Sequence, residues 1–293
     1  VLPSYSSITY LSDGSVAASG YGGLIHYKDG MVTNIIPECQ VETYQIDDIS
    51  NSFFDIHSLN YEPGDFLPWS IVEYSNNKLM SSNSGIIPAN NTRGSIITLN
   101  LDDYSLINIY NLENSTLDGQ DGIYFPPADA GYMVVNQITI DNSGMVWVAN
   151  PYAEENGNIF SKFNPSSETW VGIDNNDKPL YMPQEVTFDP SGDAWAGFRR
   201  LYTLDNPEWS GPYSQGGVQK YSGGQWSSVP GDNLLPGGSE EDVWSLDFCN
   251  HDGIGILWVM TNDGVQGYTI SEISNELNPI SSLEYFTEIP FFQ

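Results

Sequence analysis

A seven-residue pattern that recurs three times limits what this chain can fold into more than any other feature. Asp141-Asn142-Ser143-Gly144-Met145-Val146-Trp147, Asp189-Pro190-Ser191-Gly192-Asp193-Ala194-Trp195 and Asp252-Gly253-Ile254-Gly255-Ile256-Leu257-Trp258 all read Asp-x-x-Gly-x-x-Trp. Such self-similarity marks an architecture in which each unit buries its faces only against its neighbours. Around the first two copies the pattern is that of a β-hairpin: Ile138 and Ile140, then Val186 and Phe188, alternate into the turn, and the strand leaving it carries the Trp. Each residue type has a structural task there. Asp bonds backbone within the turn, Gly takes a positive φ, and Trp fills a large flat space between packed sheets.

A second half-motif, Gly-aliphatic-x-x-Tyr, is carried by Gly23, Leu24 and Tyr27, by Gly217, Val218 and Tyr221, and by Gly264, Val265 and Tyr268. Looser forms run from Gly94 to Leu99 and from Gly157 to Phe163, and a fourth apolar run, as at 106–109, 170–173 or 226–229, closes the unit. Each unit therefore has four short strands. Degenerate copies at Leu11, Gly14 and Ala17 and at Tyr74, Asn77 and Met80 complete the series. The register positions are 17, 80, 147, 195 and 258, spaced by 63, 67, 48 and 63 residues. Four-stranded units at about 40–50 residues plus loops predict an all-β fold, a β-propeller. Five blades are visible in a single domain, at about 6–36, 69–110, 136–173, 184–229 and 243–289, and membership of a larger ring stays open. Turn-bounded alternation over 6–286 predicts almost no helix, and Trp147, Trp195 and Trp258 are expected at equivalent buried positions.

Asp and Glu number 38 against 8 Lys and Arg, a formal net charge of -30. This field repels nucleic acid and anionic lipid headgroups and suits cations, basic proteins or neutral glycans. No run approaches the roughly 20 apolar residues of a membrane span, so membrane insertion is not expected. The chain opens at Val1 and reads as a processed chain or a segment of something longer. Its two cysteines, Cys39 and Cys249, either bridge the first and last blades or stay free and buried; free thiols are the expectation.

The run Trp226, Asn233-Leu234-Leu235-Pro236, Val243, Leu246, Gly255, Leu257-Trp258-Val259, Thr261 and Gly264-Val265 with Tyr268 resembles the two-component-regulator propeller repeat. Residues 138–170, with Trp147-Val148-Ala149-Asn150-Pro151 and Phe163-Asn164-Pro165, are similar to blades of PorZ-like surface propellers of type IX secretion and to streptogramin-lyase-type blades. The resemblance spans most of 136–268 and, more loosely, 6–110. It implies a bacterial propeller that is extracellular or at the cell surface, alternatively periplasmic, used for ligand sensing or for docking proteins and glycans. The sequence departs from the repeat where the first two units lack Asp and Trp and where the fifth carries extra residues around 249–251.

His26, His57 and His251 are the only imidazoles, and no His-x-x-x-His or Cys-x-x-Cys spacing gathers zinc ligands. On its strand, His26 is expected to be a surface or packing residue. No nucleophile elbow, Walker loop or dinucleotide-binding turn occurs. The acid pairs Asp47-Asp48, Asp102-Asp103, Glu154-Glu155 and Glu240-Glu241 leave a lyase or glycosidase acting on an extracellular polymer as the alternative reading. No cofactor is required, although Asp118, Asp121, Asp174 and Asp177 in oxygen-rich loops could hold Ca2+.

The repeat spacing breaks at 37–68, 111–135 and 199–216, and long loops on a rigid scaffold tend to carry function. The leading expectation is a noncatalytic module. It docks a surface glycan or a partner protein through Tyr152, Glu154, Arg199, Arg200, Trp209 and Tyr213.

Overall fold

The computed structural model describes residues 5–20, 23–35, 41–45, 68–87, 92–119, 133–151, 153, 156–174, 182–200, 215–229, 242–261, 264–270 and 277–280. Among them all regular structure is strand, and no helix is long and apolar enough to cross a membrane.

The first blade contains β1 (Tyr5–Tyr10), β2 (Val16–Gly20), β3 (Gly23–Lys28) and β4 (Met31–Ile35), with an added outer strand β5 (Val41–Gln45). The second contains β6 (Pro68–Ser75), β7 (Lys78–Ile87), β8 (Thr92–Asn100) and β9 (Leu106–Tyr110). The third contains β10 (Gln137–Ile140), β11 (Val146–Ala149), β12 (Asn158–Asn164) and β13 (Thr169–Asp174). The fourth contains β14 (Met182–Phe188), β15 (Ala194–Arg200), β16 (Gln215–Ser222) and β17 (Gln225–Ser228), and the fifth β18 (Val243–His251), β19 (Ile254–Thr261), β20 (Gly264–Ile270) and β21 (Leu277–Pro279). Every sheet is an antiparallel meander in chain order. The first strands pack in series, β1 on β6, β6 on β10, β10 on β14 and β14 on β18, so they form the inner wall of a propeller-type stack.

The repeat motif acts as a clasp. In the third blade, Asp141 Oδ1 accepts the backbone N–H groups of Ser143 and Met145, while Oδ2 accepts the Trp147 indole N–H at 2.8 Å. The fourth blade repeats this with Asp189, Ser191, Asp193 and Trp195, the indole bond being 3.0 Å. Gly144 and Gly192 close these turns at φ 81° and 86°, where a side chain is strained. A lysine on the next strand lies over each indole. Lys162 Nζ is 4.5 Å from the Trp147 ring centre and 3.3 Å from Asp141, and Lys220 Nζ is 5.2 Å from Trp195 and 2.7 Å from Asp193.

The two half-motifs meet between blades. The Trp position of one blade packs with the Tyr position of the next: Ala17 with Leu99, Met80 with Phe163, Trp147 with Tyr221 and Trp195 with Tyr268, each pair in one apolar cluster. Trp147 and Tyr221 meet edge to face, with ring centres 5.8 Å apart.

The fifth blade departs from the sequence expectation. Asp252 and Gly253, at φ 51° and 84°, form a two-residue turn between His251 and Ile254, so Asp252 stands exposed at the tip and Gly255 lies within β19. Asp-Gly is well suited to that tight turn, which lengthens the hairpin and carries Asp252 away from the indole. Trp258 instead donates to Cys249 Sγ at 3.3 Å and is only half-buried. Cys249 is a free thiol, and Cys39 lies outside the described residues.

Candidate functional site

An antiparallel four-stranded meander sends its first-to-second and third-to-fourth turns to one rim, and its second-to-third connections and interblade links to the other. On the turn rim, the described turns 11–15, 29–30, 76–77, 101–105, 141–145, 165–168, 189–193, 223–224 and 252–253 are two to five residues long. At the opposite rim the second strand of each blade ends and the third begins, two residues apart in the first and fifth blades and four in the second, but eight apart between β11 and β12 and fourteen between β15 and β16. Both connections that carry the expected ligand-binding residues thus leave one rim, on the adjacent third and fourth blades. Tyr152, Glu154, Trp209 and Tyr213 themselves lie outside the described residues, as do Asp121 and Asp177.

The described members of these sets have structural partners. The Arg199 guanidinium stacks 3.9 Å from the ring centre of Trp244, joining the fourth blade to the fifth, and Arg200 stands opposite Gln215 in the ladder. Asp118 is fully buried. Its Oδ1 accepts the Gly119 N–H and its Oδ2 the N–H groups of Asn156 and Asn158 at 2.9 and 3.0 Å, so its oxygens face donors. Asn150, also buried, closes the other side: its Nδ2 donates to the carbonyls of Asp118 and Val134 at 2.8 and 2.9 Å. Asp174 ends β13, and its backbone carbonyl accepts the Trp226 indole N–H at 3.0 Å. Among the described residues, no group of three or more His, Cys, Asp or Glu side chains converges to hold a metal.

The inner wall carries a feature that motif searching missed. Ser7 Oγ accepts the Ile71 N–H at 3.4 Å, Ser70 Oγ the Ile138 N–H at 2.8 Å, Gln137 Oε1 the Val186 N–H at 2.7 Å and Glu185 Oε2 the Leu246 N–H at 3.1 Å. Each blade is thereby tied to the next by a polar side chain standing just before the apolar residue of its own first strand. The available signal was the dipeptide series Ser7-Ile8, Ser70-Ile71, Gln137-Ile138, Glu185-Val186 and Ser245-Leu246.

Glu185 is the ionisable member of this series, and its Oε2 also accepts from Ser245 Oγ at 2.7 Å. Burial raises its pKa and the nearby Asp247 charge adds to this, against the bonds from Ser245 and Leu246. An acid with a raised folded pKa stabilises the fold below its unfolded value near 4.5, and that contribution is lost as pH rises through the folded pKa. Glu185→Gln keeps an oxygen acceptor and removes the titration. Urea denaturation across a pH series should show the variant gaining on wild type from pH 4.5 upward; parallel profiles would refute the assignment.

His26 is a buried packing residue. Its Nε2 meets Ser15 Oγ at 2.7 Å and its Nδ1 meets Tyr104 Oη of the second blade at 2.9 Å, and burial lowers its pKa. His251 is exposed beside the hairpin tip of the fifth blade, and His57 lies outside the described residues.

No family profile and no curated protein matches the sequence. Among solved structures, the chain is similar to the extracellular domain of the hybrid two-component system BT4673 from B. thetaiotaomicron, with TM-score 0.56 and 14% identity over 94% of this chain and 30% of that one. It is also similar to the dihydro-heme d1 dehydrogenase NirN, with TM-score 0.50 and 12% identity over 93% of this chain and 45% of that one. PorZ, the type-IX secretion surface component of Porphyromonas gingivalis, aligns at TM-score 0.42 and 12% identity over 93% of this chain and 49% of its own. The chain spans less than half the length of each of these proteins. The likeness is one of fold: an all-β, propeller-type domain. A two-component-system domain and a dehydrogenase share it, so function has to be argued from the site.

Proposed function

We propose that this chain is a noncatalytic recognition module on the outside of the cell, docking a surface glycan or a partner protein through the loop rim of its third and fourth blades. The asymmetry between the rims supports this reading. The described turns of one rim are short and two of them are held by Asp–Trp–Lys clasps, while at the other rim the third and fourth blades have eight and fourteen residues between their second and third strands, where the other blades have two to four, and a rigid scaffold usually carries binding residues on such long connections. Arg199, Arg200, Trp209 and Tyr213 belong to the β15–β16 segment of the fourth blade, and Tyr152 and Glu154 to the equivalent connection of the third. Aromatic faces stack on sugar rings or anchor protein contacts, and guanidinium groups donate to carboxylates and hydroxyls. The net charge of -30 favours neutral glycans or basic partners. The fold of the BT4673 extracellular domain is consistent with an extracellular setting.

The test is Trp209→Ala combined with Tyr213→Ala. Glycan-array or pull-down binding should fall at least about tenfold, the loss of roughly 1.4 kcal/mol or more, with an unchanged melting midpoint. Survival of binding would overturn the reading. Cleavage of a polysaccharide that is lost on replacing a His or a paired acid would install the lyase or glycosidase reading instead.

A further inference from the structure

At the loop-rim end of the inner wall the same irregularity recurs in all five blades: the first strand has one residue more than the second strand opposite it. Ser6 stands between the pairs Tyr5 with Gly20 and Ser7 with Ser19, Gln184 between Pro183 with Phe198 and Glu185 with Gly197, and Trp244 between Val243 with Thr261 and Ser245 with Met260. In the second blade the extra residue falls at Trp69-Ser70, since Pro68 and Ile71 face Asn83 and Ser81. In the third, Asn136 and Gln137 share one partner, because the Asn136 N–H bonds to the carbonyl of Ala149, the residue opposite Gln137. Each is a β-bulge, a device that gives up a place in the ladder and re-aims a side chain, and that gathers beside functional sites. Aligned on Ser7, Ser70, Gln137, Glu185 and Ser245, the position re-aimed is Ser6, Trp69, Asn136, Gln184 and Trp244.

The side chains placed there suit one class of ligand. Trp69 is 38% exposed, although it belongs to the innermost strand of its blade. Trp244 is half-buried, and the Arg199 guanidinium 3.9 Å from its ring centre fixes the plane of the ring. Between these two blades the Asn136 amide donates to Gln184 Oε1 at 3.2 Å and to the Pro183 carbonyl at 3.0 Å. Asn136 Oδ1, an acceptor, and Gln184 Nε2, a donor, stay outside those bonds, and adjacent sugar hydroxyls need one of each. Indole faces cover the apolar side of a pyranose ring. The net charge of -30, with Glu185 and Asp247 on the same wall, disfavours an acidic sugar.

We propose that this arc of bulges is a saccharide site, in which a neutral oligosaccharide lies along the inner wall from Trp69 to Trp244 across the Asn136–Gln184 amide pair. The inference rests on the reading of the chain as a recognition module and adds to it a site that the long β11–β12 and β15–β16 connections do not contain.

The probes are cellohexaose, xylohexaose and mannohexaose, with hexagalacturonic acid as the anionic counterpart. At least one neutral probe should bind in titration calorimetry, and in the unaltered chain it should shield Trp69 and Trp244 from hydroxyl-radical oxidation, read by peptide mass spectrometry. Trp69→Ala and Gln184→Ala should each weaken that binding at least about tenfold with an unchanged melting midpoint, while Trp69→Phe, which keeps an aromatic face, should retain most of it. Tighter binding of the anionic probe, or a bound neutral probe that leaves Trp69 and Trp244 unshielded, would overturn the site. If Trp209→Ala with Tyr213→Ala abolishes binding while the Trp69 and Gln184 variants bind normally, the inner-wall site falls and the loop reading stands; the reverse pattern upholds the site and removes the loops. No neutral probe binding to the wild type would also overturn the site, and the loop reading would then be decided by pull-down of a protein partner.

Discussion

Replacing Trp195 by alanine is expected to cost the fold about 3–5 kcal/mol, and Trp147 by a comparable amount, whereas Trp258→Ala should cost only about 1–2 kcal/mol. Trp195 is 0% exposed and Trp147 3% exposed, and each fills the space between two blades beneath a lysine and beside an accepting Asp. Removing either ring leaves a cavity that two sheets held by neighbouring strands close only in part. Trp258 has the same place in its repeat but stands half in water, with a thiol in place of the carboxylate. Chemical denaturation of the three variants measures the difference. A loss below about 1 kcal/mol at Trp195, the size of an ordinary substitution, would dissolve the blade alignment, and equal losses at all three would show that the fifth blade is covered like the others.

Asp141→Ala should cost about 2–3 kcal/mol near neutral pH, the range for removing charged hydrogen bonds from a partly buried site. The variant strips acceptors from the Trp147 indole, from two backbone N–H groups and from the Ser143 hydroxyl, and leaves Lys162 without the carboxylate 3.3 Å away. Burial opposes the charged form of Asp141, but these donors outweigh it and hold the carboxyl below its ordinary value. A lowered folded pKa contributes stability above the unfolded value near 3.8 and loses it as pH falls through the folded one. The gap between wild type and variant should therefore narrow in acid. Asp252→Asn is the matched control: the side chain is 91% exposed at the hairpin tip and Asn keeps a residue that tolerates the φ of 51°, so the change should stay within about 0.5 kcal/mol. A loss as large as that at Asp141 would mean that the third copy of the motif forms the same clasp after all.

What the sequence determined by itself is what is local. Alternation, an Asp-x-x-Gly turn and a Trp two residues into the following strand are settled within one hairpin, so the strands and the positions 17, 80, 147, 195 and 258 are legible without coordinates. Leu11 and Gly14 even make the same pair of turn bonds as Asp141 and Gly144, although the Asp is missing. The limit of that legibility is the fifth copy. Asp252-Gly253 satisfies both the repeat pattern and a two-residue turn, and the longer pairing of β18 with β19 selects the turn.

Other features depend on residues far apart in the chain, and only the tertiary structure could decide them. Lys162 and Lys220 have no local mark, because each is defined by the indole across its strand. Glu185 belongs to a tie that reaches Leu246 on the next blade, and Asp118 to a clasp that reaches 156–158. Whether the last blade meets the first is the most distant of these choices. The hairpins specify which face is apolar, but the packing of four successive interfaces determines where the fifth blade comes to rest, and it leaves Ile8, Tyr10 and Val265 in water.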